Sequence, residues 1–438
     1  MKKLVLAAIV SAALIASVAF AVAGQTAPSQ LPGQRGTLWV VNKPRNEVAA
    51  FDGKTGALLG TVPVGRSPNS VVVAAQKAKA YVTNEDSNDV TVISTMTRTA
   101  IATIPVGPDP HHIRTSLDGS RVYVTEYATN RVAVIDTATD KVVSEFTTST
   151  DPNAKTHSVW ITPDRKTLWV ANEVASTVTG LDAATGAIEF TVPVVIRPSE
   201  VLVSPNGQKA YVTNRSTKNE VTRIDVATRA VDAEVAIPAQ PDTLQLSPDG
   251  KLLDVALRGT PAQLAVVDTT TMTLAKVIDI AGLGTIAAHN WLSANGRYAF
   301  VSYEGGDAPG IAVVDHRTNE VVSRIDYPGG GRPHGVYYDD PASTEGPAVV
   351  LGPAKLRVSR AGTVALRVTC SADAVGSCKG TVSLAGGKAA FSLAAGATTT
   401  VRLRVRATAK KVVVKASAID LLGNTRTSAR AVTLVRRS

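Results

Sequence analysis

The chain has 438 residues and a formal charge of +10, a length that one continuous hydrophobic core does not serve unless a closed repeat builds that core piece by piece. From Glu345 onward 16 Lys or Arg stand against 3 Asp or Glu, while the residues before carry a net −3. The basic character therefore belongs to the tail alone, which excludes a uniformly basic chain and predicts two unequal domains.

At the N-terminus Met1, Lys2 and Lys3 precede an apolar run from Leu4 to Ala23 that ends in Ala21-Val22-Ala23. A charged start, an apolar stretch and a small-x-small site describe a signal peptide over 1–23, so export to a secreted or cell-surface location is expected. The alternative is an uncleaved anchor, since about 20 apolar residues can span a bilayer. No transmembrane segment is expected after cleavage. Residues 24–36 read as a linker.

Self-similarity then dominates. Tyr81-Val82-Thr83-Asn84, Tyr123-Val124-Thr125-Glu126, Trp169-Val170-Ala171-Asn172 and Tyr211-Val212-Thr213-Asn214 are variants of one tetrapeptide. Trp39-Val40-Val41-Asn42, Asp254-Val255-Ala256-Leu257 and Phe300-Val301-Ser302-Tyr303 are weaker copies. The first residues stand 42, 42, 46, 42, 43 and 46 positions apart, the length of one four-stranded propeller blade. Each copy runs into an alternating strand such as Val132-Ala133-Val134-Ile135-Asp136. Its terminal Asp, replaced by Ser94 in the second copy, is expected to close a turn on backbone amides. A further strand, usually opened by Pro and closed by a turn such as Asp249-Gly250, precedes each tetrapeptide. The first copy lacks this strand, and a spare one follows the seventh at Pro333-His334-Gly335-Val336-Tyr337-Tyr338. The expected fold over 37–340 is an all-β, seven-bladed propeller closed by pairing this last strand into the first blade.

Seven copies in phase with their turns resemble the Y-V-T-N family of β-propeller repeats, relatives of the lactonase and nitrous oxide reductase propellers. That resemblance implies the fold and export. It implies no single chemistry, because propellers host many.

Residues 341–348 read as a linker by their Pro, Gly and Ser content. Beyond them Val401 to Arg406 alternates apolar and Arg residues, and Leu366–Thr369, Thr381–Leu384, Val412–Lys415 and Ala431–Leu434 add strands. Residues 349–438 resemble a small Ig-like sandwich, with Cys370 and Cys378 expected to form a disulfide around a short loop. A catalytic thiol is the alternative. The basic stripe suits an anionic polymer, or serves only as a solvated face. No specific nucleic-acid motif accompanies it.

Candidate chemistry gathers at one phase of the repeat. The residue after the Pro position is Asn69, His111, His157, Ser199, Asp242, Ala288 and His334, and the next column is Ser70, His112, Ser158, Glu200, Thr243, His289 and Gly335. Five of the six histidines fall in these two columns, where the loop entering each innermost strand faces the channel mouth. His111, His112, His157, His289 and His334 are candidate ligands for one zinc or copper ion, with Asp242 or Glu200 as candidate base. The bland alternative has these histidines bonding backbone and water. Pro110-His111-His112 looks like the paired copper ligands of nitrous oxide reductase, but that enzyme's Cys- and Met-rich second copper domain has no counterpart here. The four tryptophans read as inter-blade core. Serine-hydrolase elbow, phosphate loop, zincin helix and haem motifs are absent from the sequence. The first expectation is an exported, non-enzymatic scaffold or binding protein whose propeller recognises a protein or envelope polymer. The alternative is a metal-dependent enzyme, a lactonase-like hydrolase or copper oxidoreductase.

Overall fold

The tetrapeptides place large apolar groups at successive positions, and a strand written that way must bury both faces. The computed structural model describes residues 36–340 and 349–436 apart from 216, 283–284, 307, 354, 371–376, 395–396, 406–410 and 420–424. In it each tetrapeptide strand lies second from the axis of a four-stranded antiparallel sheet, with neighbouring blades on both faces. Lys79–Asn84 and Lys209–Asn214 are buried from their second residue to their last. The outermost strands, such as Lys141–Thr147, alternate between exposed positions and half-buried or buried ones because only one face meets a neighbour.

Seven such sheets are present among the described residues. Blade 1 contains Thr37–Asn42, Glu47–Asp52 and Leu58–Pro63. The inner strands of blades 2 to 7 are Pro68–Ala74, Pro110–Thr115, Thr156–Ile161, Pro198–Val203, Pro241–Leu246 and Thr285–Leu292. The inner strand of blade 1 is Pro333–Asp339, which pairs antiparallel with Thr37–Asn42 as expected and leaves no open edge in the ring. Each inner strand touches the next around the circle. The core lies between blades: Tyr298, Phe300 and Val313 of blade 7 pack on Leu38, Val40 and Phe51 of blade 1. Each such side chain contributes roughly 1.5–3 kcal/mol when fully buried.

The repeat aspartates hold their turns. Oδ1 of Asp136 accepts from the amides of Ala138 and Thr139, and Asp52, Asp182 and Asp268 do the same. The tryptophans pack between blades as expected, Trp39 and Trp169 fully buried and Trp160 and Trp291 half-buried on inner strands, where they also line one end of the channel.

The C-terminal residues form a three-stranded and a five-stranded sheet around one core separate from those of the blades. Val349–Leu351, Lys355–Val358 and Gly387–Ala394 are strands that the sequence pattern did not show. On Thr398–Arg404 the alternation is as expected, with Val401 and Leu403 buried and Arg402 and Arg404 exposed. Cys370 and Cys378 are joined in a disulfide. The stretches expected to be a leader and two linkers lie outside the described residues except for Gly36, as does Arg406. Among the described residues no helix is long and apolar enough to cross a membrane.

Candidate metal centre at the channel mouth

In all seven blades the pairing of the inner strand slips by a residue or more at its start, between Pro110 and Ile113 in blade 3 and between Pro198 and Glu200 in blade 5. The two candidate columns occupy this bulge. A bulge places two residues against one and re-aims their side chains, so both columns reach the mouth.

The tetrapeptide threonine sets the bulge. Thr125 Oγ1 accepts from the amide of His112 in its own blade at 2.9 Å and donates to the carbonyl of His157 in the next at 2.9 Å. Thr83 serves Ser70 and His111, Thr213 serves Glu200 and Asp242, and Ser302 serves His289 and His334 in the same way. One hydroxyl thus fixes two successive columns in two blades.

The five histidines converge. Ring centroids lie 4.6 Å apart for His111 and His157, 5.1 Å for His111 and His112, and 5.0 Å for His112 and His157. The chain of rings continues from His112 to His289 at 5.3 Å and from His289 to His334 at 4.5 Å. The column offset of His289 therefore does not separate it from the rest. His111, His112 and His157 each present a nitrogen, and these atoms lie within 4.8 Å of one another. Nδ1 atoms of His157 and His334 are buried without a hydrogen-bond partner in this structure. Burial, then neighbouring imidazoles, hold His112, His157 and His334 well below the ordinary histidine range, and burial brings His289 down to about 3. These rings are neutral at pH 7, the state that binds a metal.

A third ring of residues, missed by the sequence reading, surrounds them. The position directly after each tetrapeptide holds Lys43, Glu85, Tyr127, Glu173, Arg215, Arg258 and Glu304. Glu85 Oε1 lies 2.9 Å from His111 Nδ1 and its Oε2 accepts from Lys43 at 2.9 Å. Burial works against its charge, but His111 and Lys43 outweigh burial and bring the carboxyl down to about 2. Such a carboxylate fixes the orientation of its imidazole. Tyr127 donates to Glu173 at 2.9 Å, and Glu173 also lies 3.8 Å from His157. The signal was available: the same repeat phase that revealed two columns contains a third.

The acidic candidates differ. Asp242 accepts from Arg215 and, at 2.6 Å, from Arg258; despite burial, these charges keep it ionised. Glu200 accepts from Arg114 and from the Leu244 amide at 2.9 Å, and lies 3.9 Å from His112. Burial dominates there, pushing its carboxyl up to about 7.

A model of the family described as lactonase, 7-bladed beta-propeller matches residues 45–172 and 157–285. No curated protein matches the sequence. Among solved structures, Kuenenia stuttgartiensis hydrazine synthase is similar at 22% identity over 67% of this chain and 98% of that chain, with a TM-score of 0.56. A putative 6-phosphogluconolactonase from Bacteroides uniformis ATCC 8492 is similar at 17% identity over 70% and 100%, with a TM-score of 0.58. A functionally unknown protein from Desulfotomaculum acetoxidans DSM 771 is similar at 16% identity over 69% and 99%, also at 0.58. These likenesses show the fold. With the family model covering more than half its length, the chain belongs to the seven-bladed β-propeller lactonase family.

Proposed function

We propose that the channel mouth is a metal-assisted hydrolytic site for a lactone or related ester. The observation that carries this reading is the three imidazoles of His111, His112 and His157, neighbours in space from two blades, one of them with a buried nitrogen lacking a partner. Three histidines suit a zinc ion with an open position, and a metal so held polarises a carbonyl and lowers the pKa of water. Glu85 fixes the His111 ring. Glu200, 3.9 Å from His112 and raised to about 7 by burial, is the carboxyl we assign to proton transfer, with Arg114 and the Leu244 amide holding its two oxygens. Asp242 serves to hold Arg215 and Arg258, whose charges attract an anionic substrate or the carboxylate product. With the N-terminal signal expected from sequence, this chemistry takes place outside the cytoplasm.

A binding-protein reading draws on the exposed Arg402 and Arg404 of the C-terminal unit, a face suited to an anionic envelope polymer. Metal content separates the two readings. Purified without an affinity tag, the protein is expected to carry about one zinc or copper per chain, lost in the His111→Ala, His157→Ala double variant. Lactone hydrolysis should disappear with the metal. No metal in either protein, even after incubation with zinc and copper, overturns the hydrolase and leaves the binding reading.

A further inference from the structure

The opposite end of the channel is built from another single repeat column, the residue paired with the first position of each tetrapeptide. Arg114 faces Tyr123 across the sheet, Trp160 faces Trp169, Trp291 faces Phe300 and Tyr337 faces Trp39. These four, with Val72 and Gln245 from the same column, line a cavity of about 300 Å³, at the lower end of the range for small-molecule sites. Between this cavity and the histidines the space beneath His289 shrinks to about 10 Å³, no more than one water molecule occupies.

The aromatic groups come from blades 4, 7 and 1, yet they converge. Trp291 and Tyr337 lie with centroids 4.2 Å apart, and the Arg114 guanidinium is 5.1 Å from the Trp160 ring and 5.3 Å from the Trp291 ring. Arg114 spends one nitrogen on Glu200 and another on the Ile113 carbonyl, and its Nε is buried with no acceptor. Flat π-faces beside a guanidinium suit a flat ring that brings an oxygen.

We propose that this cavity binds a planar aromatic carboxylate of one or two fused rings, stacked on Trp160, Trp291 and Tyr337 with its oxygen toward Arg114. This site does not depend on the metal reading. The probe is 2-naphthoate, titrated calorimetrically into the full-length protein, with cyclohexanecarboxylate as the non-aromatic control. Saturable binding of 2-naphthoate is expected, with the control weaker and with Trp160→Leu and Trp291→Leu each losing roughly ten-fold in affinity. His111→Ala should bind 2-naphthoate unchanged. Far-UV circular dichroism and a single cooperative loss of the propeller signal on heating, read on the same tryptophan variants, should match wild type in shape, with a lowered midpoint from the lost packing, and so show that the fold is intact. No binding up to about 5 mM, beyond the weakest affinity expected of a built site, overturns the proposal. So does equal binding of both carboxylates, or binding lost in His111→Ala and kept in Trp291→Leu, which assigns the probe to the mouth.

Discussion

A hydroxyl one methyl group away from valine decides where two histidines stand. Thr125 joins the His112 amide to the His157 carbonyl, and both are buried groups whose loss of a partner costs about 1–3 kcal/mol. Thr125→Val and Thr213→Val should therefore lower stability by similar amounts in denaturant unfolding. Only Thr125→Val, which releases His112 and His157, should also weaken zinc uptake measured by competition with a chelating dye. Equal zinc affinity in both variants refutes the clamp's role in the site.

The sixth histidine makes a different contact. His316 Nε2 lies 2.7 Å from Asp254 Oδ2, joining blade 7 to blade 6 where blade 2 uses a hydrogen bond from Tyr81 to Asp140. Burial disfavours the imidazolium, but Asp254, with smaller contributions from Asn319 and Asp315, raises its pKa above the ordinary value. A histidine raised on folding contributes stability that is complete below its unfolded pKa of about 6.5 and fades as pH rises through the folded value. The gap in thermal midpoint between wild type and His316→Leu should be widest near pH 6 and narrow toward pH 9. A constant or widening gap contradicts the ion pair.

At the scale of the element, the closing strand depends on a close approach. A Cβ on Gly335 would stand 2.4 Å from the Asn69 carbonyl oxygen and 2.8 Å from Ser70 Cα, both backbone atoms that cannot swing aside. Gly335→Ala should force the strand away from blade 2 and lower stability by roughly 1–3 kcal/mol, the usual cost of overpacking. Gly330→Ala, with nothing within 4 Å of its Cβ, tests backbone strain alone. If the two variants cost the same in urea unfolding, the contact does not matter.

The bulge at the start of each inner strand is an element-scale device as well. Simple alternation would send the two columns to opposite faces, and the slipped pairing is what brings His112 and His111 to one cluster.

Across the whole molecule the hydrophobic cores separate into those between blades and one of C-terminal residues alone. The disulfide belongs to the second. Two thermal transitions are expected, and reduction of Cys370–Cys378 should lower only one of them, by the equivalent of about 2–3 kcal/mol for a loop this short. A single transition that moves as a whole under reductant would show that the units unfold together.

What the amino-acid order determined by itself was whatever repeats. Period, turn aspartates, ring closure and the two histidine columns are all local patterns, and a closed ring converts one phase of such a pattern into one circle in space. The third column, from Lys43 to Glu304, was legible by the same rule but hidden by its changing chemistry, since Lys, Glu, Tyr and Arg share no side-chain type. Tertiary structure alone decided what each circle does. Whether His289 meets His334, whether Asp242 is neutralised by Arg215 and Arg258, and how much of Trp160 a core leaves for the channel depend on contacts between blades. Those distances are set by how seven twisted sheets close, which no window of sequence contains.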